Sequence, residues 1–341
     1  MKHWPLALLG LTDVVEGINA LALACYRRGL RKVHRADVPV ISVGNIAFGG
    51  TGKTPLVAAL ARTLLAAGFR PAILTRGYRR RDRRPVTVRG GADAGWERVG
   101  DEPALLARAL PEVPIVVDSD RVRGAATAVR DAGATHLILD DGFQHWRLAR
   151  DLDIVVVEAK DPFGAAAPRR EHPNALARAD AVVLSRTANL TEARAATAVL
   201  GAYAPDALFV ATGLAARAVF QGGERRSPDV LRGVRVVAMA GIASPEAFVN
   251  TLGDIGANVV EMRFFPDHHR YVRRELEGVL AEAEAAGALV ATTGKDAVKL
   301  PEDVLGRIAW VDVEAVPLMG SFEELLAPVL GRPPSLRSVD S

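Results

Sequence analysis

Short apolar runs rich in β-branched residues alternate along the chain with longer segments in which apolar residues recur every three or four positions. In the first 205 residues the apolar runs lie at 40–43, 70–75, 115–117, 135–141, 153–157 and 181–184. The helical patterns between them cover 56–65, 102–110, 121–132 and 191–200. Unbroken apolar strands separated by helices are typical of a parallel sheet with both faces covered. The pattern therefore predicts an α/β fold with a doubly wound parallel sheet.

A second alternation of strands and helices begins after residue 233. Its strands are predicted at 234–240, 258–261, 288–292 and 308–313, and its helices at 246–252 and 272–286. The stretch that joins the two alternations mixes a short apolar run with a polar segment rich in Gly and Arg. We therefore predict an N-terminal helix at 1–32, a larger domain at 33–205, an extended connector at 206–233 and a smaller C-terminal α/β domain at 234–341.

The N-terminal segment 4–26 is apolar but interrupted by Asp13, Glu16 and Asn19, and a basic cluster follows it at 27–32. Two acids near the middle would be costly in hydrocarbon, so a membrane-spanning helix is not expected. An amphipathic helix at a membrane interface, with its basic end against anionic headgroups, fits the pattern. A helix packed on the protein core fits it equally well.

A glycine-rich turn follows the run 40–43 and leads directly into the helical pattern at 56–65. Its residues, which we expect to bind a nucleotide, are Gly49, Gly50, Thr51, Gly52, Lys53 and Thr54. Glycines let backbone N–H groups converge on phosphate oxygens, and the helix adds the positive end of its dipole. Lys53 would reach the β- and γ-phosphates, and Thr54 would hold Mg²⁺. The alternative is a turn that only connects a strand to a helix, but the strand and helix on either side favour a P-loop NTPase-like site.

Carboxylates follow another predicted strand of the same unit. Asp140 and Asp141 end the run 135–141, where a carboxylate can reach Mg²⁺ beside a phosphate-binding loop. An Asp-Asp-Gly turn or helix cap is the alternative. Gln144 and His145 come next and would lie beside the metal.

Two further acidic stretches are weaker signals. Asp101 and Glu102 precede a helix, and from spacing alone they are best explained as carboxylates that offset the helix dipole. Asp267 and His268 lie between a strand and a helix of the smaller domain, and an Asp beside a His suits acid–base chemistry across a cleft.

Composition narrows the class of protein. The 341 residues are 49% hydrophobic and 24% charged, which is typical of a globular chain with a sizeable core. Cys25 is the only cysteine, so an internal disulfide and a thiolate metal cluster are excluded and a reducing compartment is favoured. The net charge of +3 suits an anionic substrate or a membrane surface as well as it suits a nucleic acid. Aromatic residues make up 5% and are not interleaved with a basic groove, so no nucleic-acid partner is expected.

The motifs occur in one order: Ser42-Val43-Gly44-Asn45 before the loop, Thr75-Arg76-Gly77-Tyr78, Val99-Gly100-Asp101-Glu102-Pro103, Asp140-Asp141-Gly142-Phe143-Gln144-His145, Phe265-Pro266-Asp267-His268-His269, and the block 292–300, to which no role is assigned. In this order they resemble the tetraacyldisaccharide 4′-kinase family of lipid A biosynthesis. The resemblance extends from the N-terminal helix to about residue 313.

The resemblance implies a kinase peripheral to the cytoplasmic face of the bacterial inner membrane, with no obligate protein partner. It implies that Mg-ATP phosphorylates the 4′-hydroxyl of a tetraacyldisaccharide 1-phosphate, a glycolipid. Asp101 would be the base, supported by His268 and Asp267, with Lys53 on the phosphates. The implied metal residues are Thr54, Asp140, Asp141 and Glu102. The implied substrate residues are Asn45, Tyr78, Arg121, Gln144, His145, Arg170 and Glu171.

Two rival functions remain open. A phosphate-loop kinase with a soluble substrate would not need the N-terminal helix. A membrane-docking nucleotide-switch ATPase would hydrolyse ATP without an acceptor substrate.

Overall fold

A computed structural model describes residues 6–78, 80, 83–90, 95–163 and 168–331. Its strands form one sheet. They are β1 (Val40–Gly44), β2 (Pro71–Thr75), β3 (Val86–Val88), β4 (Ile115–Val117), β5 (His136–Asp140), β6 (Leu152–Glu158), β7 (Ala181–Ser185), β8 (Leu208–Gln221), β9 (Glu224–Arg226), β10 (Arg235–Ala240), β11 (Asn258–Phe264), β12 (Leu289–Thr293) and β13 (Ala309–Met319).

The α-helices lie between the strands, except for the first one, which precedes β1, and the last one, which follows β13. They are α1 (Leu6–Arg27), α2 (Lys53–Ala66), α3 (Trp96–Val99), α4 (Asp101–Ala109), α5 (Arg121–Ala132), α6 (Leu190–Leu200), α7 (Pro245–Asp254), α8 (Arg273–Ala285), α9 (Gly294–Ala297), α10 (Glu302–Leu305) and α11 (Phe322–Leu330). Short 3₁₀ turns cover Pro173–Arg178 and Pro228–Leu231.

The sheet is mostly parallel, in the order β11-β10-β12-β13-β8-β7-β6-β1-β5-β2-β4-β3, with β9 paired to β8. The antiparallel pairs are β3 with β4, β8 with β13 and β8 with β9. The predicted α/β fold with a doubly wound, largely parallel sheet is confirmed.

Strand β5 shows why both faces of the sheet are buried. Ile138 packs on one face in the core that includes Leu60 of α2, whereas Leu137 and Leu139 pack on the other face with Ala128 of α5. Successive side chains of a strand point to opposite faces, so a strand covered on both sides must be apolar throughout.

The stretch 206–233, predicted as an extended connector, contains β8, β9 and a 3₁₀ turn. The first residues of β8 pair with β7 in parallel, and the rest of β8 pairs with β13 in the antiparallel sense. One long strand therefore joins the two alternations into a continuous sheet, a pairing between distant segments that local pattern does not reveal. The division into two domains stays a prediction.

Helix α1 lies within the predicted N-terminal helix, whose residues 1–5 fall outside the described part of the chain. Within that part, no helix combines the length and apolarity needed to cross a bilayer. The C-terminal end of α1 packs on the body of the protein, with the rings of Tyr26 and Trp146 6.3 Å apart.

Candidate active site

The phosphate-binding loop leads from β1 into α2 as predicted from the glycine spacing. Gly52 caps α2 with φ 78°, a left-handed conformation that glycine adopts at no steric cost. Below the loop, Ser185 Oγ donates a hydrogen bond to the carbonyl of Thr51 (2.7 Å). Asn45 is buried and its Nδ2 lies 3.3 Å from Thr51 Oγ1. The loop is therefore held on one side by Ser185 and Asn45, and it lines a cavity on its other side.

A cavity of about 720 Å³ lies over the loop, between the two halves of the sheet. Residues of the loop and of both alternations line it, including Lys53, Thr54, Glu102, Asp140, Asp141, Asp267 and His268. In an open parallel sheet, ligands bind beyond the carboxyl ends of the strands, which is where these residues lie. Asp101 is 7% exposed and lies behind His268, outside the lining.

Asp140 ends β5 as a buried carboxyl that accepts a hydrogen bond from Thr75 Oγ1 (3.2 Å). Burial raises the pKa of Asp140 to about 7, and the nearby negative charges of Glu102 and Asp141 add to the effect. Burial and the neighbouring negative charges disfavour the ionised form of this carboxyl group, and a cation bound beside it would stabilise that ionised form.

Asp141 is the first residue after β5 and has φ 59°, a conformation that only a small share of non-glycine residues adopt. The Arg170 guanidinium donates to both of its oxygens (2.7 Å each), and Lys53 Nζ lies 3.5 Å away. Although burial opposes ionisation, Lys53 and Arg170 lower the pKa of Asp141 to about 2. Asp141 is therefore a fixed negative charge beside Lys53 of the loop.

Asp101 begins α4, and His268 lies on the loop that follows β11. His268 Nδ1 lies 2.6 Å from Asp101 Oδ2. Burial opposes ionisation of Asp101, but the hydrogen bond from His268 and the charge of Lys295 hold its pKa below the usual value. The structure thus brings together two residues whose roles as base and supporting histidine the resemblance implies.

Lys295 was missed by the sequence analysis. It lies in α9 directly after β12, and its Nζ is 3.4 Å from Asp267, 3.5 Å from His268 Nε2 and 3.6 Å from Glu102. Its place at the carboxyl end of a parallel strand is a signal that could have found it.

Arg186 was also missed, although it directly follows β7. It has φ 53°, and its Nη1 donates to Ser244 Oγ (2.9 Å) across the cleft. A Cβ built on Gly50 would lie 3.8 Å from its Nη2, so the guanidinium borders the phosphate-binding loop.

The residues implied to bind substrate divide into two groups. Those that line the cavity are Tyr78, Arg121, Gln144 and Arg170. Arg121 is buried, and burial lowers its pKa to about 10. The others, which are Asn45, His145 and Glu171, lie outside the lining. Glu171 accepts from Gln144 Nε2 (2.9 Å) and pairs with Arg178 (2.8 Å), so it supports the wall from behind.

The metal residues fit a magnesium ion that is shared with substrate phosphates. Among the described residues, no three His, Cys, Asp or Glu side chains are grouped so that they alone could hold a metal ion. Mg²⁺ in kinases is usually held by one or two carboxylates together with phosphates and water. The carboxyl of Asp140, with its raised pKa, and the neighbouring Thr54 match that arrangement.

Comparisons with known proteins agree with the geometry. A family model described as LpxK, tetraacyldisaccharide-1-P 4′-kinase, matches residues 4–330. The tetraacyldisaccharide 4′-kinase of Anaeromyxobacter sp. (strain Fw109-5) is 49% identical over 287 residues, which cover 81% of this chain and 77% of that protein. The enzyme of the same name from Geobacter sulfurreducens is 40% identical over 324 residues, covering 87% and 82%.

A solved structure is also similar over nearly the whole chain. It is the crystal structure of the "apo" form of LpxK from Aquifex aeolicus in complex with ATP, with a TM-score of 0.72 and 29% identity over 95% of this chain and 98% of that one. The resemblance carried by the motifs is confirmed. The match spans both alternations of the sheet and the cavity between them, and the chain therefore belongs to the tetraacyldisaccharide 4′-kinase family.

Proposed function

We propose that this chain transfers the γ-phosphoryl group of ATP to the 4′-hydroxyl of a tetraacyldisaccharide 1-phosphate, yielding ADP and lipid IVA. The hydroxyl oxygen forms a bond to the γ-phosphorus, the bond to the bridging oxygen of ADP breaks, and the hydroxyl proton passes to a base. The observation that carries the proposal is that Lys53 of the loop and His268, which contacts Asp101 behind it, line one cavity. Phosphoryl transfer needs mainly positioning, charge neutralisation and a proton acceptor.

The loop residues 49–54 and the first turn of α2 hold the phosphates of ATP in this proposal. Gly49, with φ 119°, and Gly52 allow a backbone path that brings N–H groups towards an anion, and Lys53 adds a positive charge. Mg²⁺, when bound, neutralises phosphate charge, and Thr54, Asp140, Asp141 and Glu102 are the residues that would hold it.

The Asp101–His268 pair accepts the hydroxyl proton, with Asp101 as the base. Asp101 is ionised at neutral pH because its pKa is lowered, and His268 keeps the carboxylate oriented. Asp267 acts from the other side of His268, where its Oδ2 lies 3.8 Å from Nε2. A fixed base aligned with the reacting hydroxyl avoids reorganisation during the reaction.

The glycolipid head group binds on the wall formed by Tyr78, Arg121, Gln144 and Arg170, with support from Asn45, His145 and Glu171. Tyr78 is 60% exposed at the mouth of the cavity, where a sugar face can contact its ring. Arg121 offers a guanidinium inside the cavity, and a guanidinium matches phosphate oxygens in geometry and charge.

The N-terminal helix binds peripherally to the cytoplasmic face of the inner membrane in this proposal. Three apolar side chains, Val14, Ile18 and Leu21, are spaced on one face of α1 and are 56%, 62% and 68% exposed. The basic residues at 27–32 follow them. An exposed apolar stripe beside basic residues is what an interfacial helix requires.

The test is transfer of labelled γ-phosphate from ATP to a tetraacyldisaccharide 1-phosphate in detergent micelles. We expect Lys53→Met and Asp101→Asn each to lower kcat by at least about 100-fold. Lys160→Met and Asp254→Asn, which make the same chemical changes at exposed positions, serve as matched controls and should retain activity. Hydrolysis of ATP at one rate with or without glycolipid, and no transfer, would overturn the proposal in favour of a nucleotide switch.

A further inference from the structure

A short segment, 168–171, runs alongside the approach to the phosphate-binding loop. Phe48 N donates to the carbonyl of Pro168 (2.8 Å), and Arg170 N donates to the carbonyl of Ile46 (2.7 Å). Ala47 and Arg169 form an isolated antiparallel bridge between these contacts. The backbone position of Arg170 is therefore tied to the residues that enter the loop.

Helix α1 contacts the same segment through two polar side chains. Arg169 Nε donates to Glu16 Oε1 (2.9 Å), and Asn19 Nδ2 donates to the backbone carbonyl of Arg170 (2.8 Å). Asn19 also lines the cavity, together with Val15 one turn earlier. These polar contacts lie on the inward side of α1, whereas the apolar stripe at 14, 18 and 21 lies on the opposite side.

The Arg170 side chain connects the segment 168–171 to Asp141 and Lys53 in the active site. Its guanidinium donates to both oxygens of Asp141 and lies 5.0 Å from the ring centre of Phe48. Asp141 in turn lies 3.5 Å from Lys53 Nζ. Both contacts are made by Nη1 of Arg170, so a shift of the Arg170 backbone would change the distance of this nitrogen from both oxygens of Asp141.

We propose that Glu16 and Asn19 are positioning residues for Arg170, so that correct seating of α1 on the protein sets the charge arrangement around Lys53. The helix then does more than hold the enzyme at a lipid surface, because its inward side forms part of the active-site scaffold. The proposal rests on the proposed function, since Arg170, Asp141 and Lys53 are taken to act on the two substrates.

The variants separate positioning from membrane anchoring. Asn19→Leu keeps the branching of the side chain, removes the donor to the carbonyl of Arg170 and makes α1 no less apolar. Glu16→Gln removes the charge opposite Arg169. Asp13→Asn makes the same acid-to-amide change at an exposed position of the same helix and is the matched control. The exchange Glu16→Arg with Arg169→Glu restores the ion pair with its charges reversed.

Three measurements on the full chain decide the outcome: phosphoryl transfer in micelles, binding to vesicles that contain anionic lipid, and hydrogen exchange of the 46–48 and 169–171 amides without lipid. We expect Asn19→Leu and Glu16→Gln to lower kcat/KM by about fivefold to tenfold, the size of one lost hydrogen bond or partly buried ion pair. Vesicle binding should stay unchanged, exchange of the Arg170 amide should accelerate, and the charge exchange should recover activity and protection.

Unchanged exchange and activity in both variants would overturn the inference and leave the proposed function intact. A loss of activity that only follows a loss of vesicle binding would also overturn it, because α1 would then be an anchor alone. If the wild-type chain transfers no phosphate, the proposed function fails, and the exchange measurement still decides whether α1 positions Arg170.

Discussion

His268 Nδ1 lies 2.6 Å from Asp101 Oδ2 although 167 positions separate the two residues in the chain. The other ring nitrogen, Nε2, lies 3.5 Å from the Lys295 ammonium. Nε2 also lies 3.8 Å from Asp267 Oδ2. Because an ionised carboxylate only accepts hydrogen bonds, and the pKa of Asp101 is lowered, Nδ1 carries a proton and donates it to Asp101. The pair is thus oriented from both sides.

The two adjacent histidines are expected to differ in catalysis. His268→Ala should lower kcat by about 100-fold, because Asp101 loses its partner and its orientation. His269→Ala should lower it less than about fivefold, because His269 Nε2 contacts Glu275 (2.9 Å) at the start of α8 rather than Asp101. Steady-state kinetics of both variants check this, and equal, small effects would contradict a role for the Asp101–His268 pair.

Gly44→Ala is expected to destabilise the fold. A Cβ on Gly44 would lie 2.5 Å from the Cβ of Phe143, which is completely buried. Such overpacking costs about 1–3 kcal/mol of unfolding free energy.

Gly253→Ala in α7 is the matched control, because a Cβ there meets nothing within 4 Å. Alanine favours a helix over glycine, so this variant should be as stable as wild type or slightly more stable. Urea denaturation compares the two, and equal midpoints for Gly44→Ala and Gly253→Ala would contradict the predicted clash.

His145 should make stability depend on pH. Burial, followed by the charges of Arg121, Arg150 and Arg147, lowers the pKa of His145 from 6.5 to about 4. Between these two pH values the unfolded chain binds more protons at this histidine than the folded chain does. The contribution of neutral His145 to the free energy of unfolding is therefore fully present above pH 6.5 and is lost as the pH falls towards 4.

The check is the denaturation midpoint of wild type and of His145→Gln between pH 7 and pH 4. The midpoint of the variant should fall less steeply over this range. His172→Asn changes an exposed histidine that caps a 3₁₀ turn, and it should follow the wild-type slope. Parallel slopes for wild type and His145→Gln would count against the buried, neutral histidine.

Lys299 and Asp296 form an ion pair at 2.8 Å, with side chains that are 1% and 0% exposed. Lys299→Met should destabilise the protein by about 3–5 kcal/mol, because Asp296 would remain as a buried charge without a counter-ion. Adding Asp296→Asn should recover part of that loss. Denaturation of the single and double variants measures the difference, and additive losses would argue against coupling.

The motifs that the sequence analysis placed well are local. The loop 49–52 lies between a strand and a helix that the neighbouring residues specify. Asp140 ends β5 and Asp141 follows it, because the apolar run ends there. The placement of Asp101 was different, since spacing alone favoured a helix-start carboxylate. Asp101 does lie at the start of α4, and it also contacts His268. The contact forms because both halves of the sheet have their strand ends at the same cleft.

The alternation of strands and helices, the glycine-rich loop between β1 and α2 and the family could all be predicted from the sequence, because they depend on period, glycine position and motif order within short stretches. Three other features depend on the folded chain: β8 pairs with both β7 and β13, Lys295 lies between Glu102 and His268, and α1 contacts the segment that carries Arg170. Those contacts join residues far apart in the chain. They form only when the whole sheet forms, and a pattern within a short stretch of sequence does not predict them.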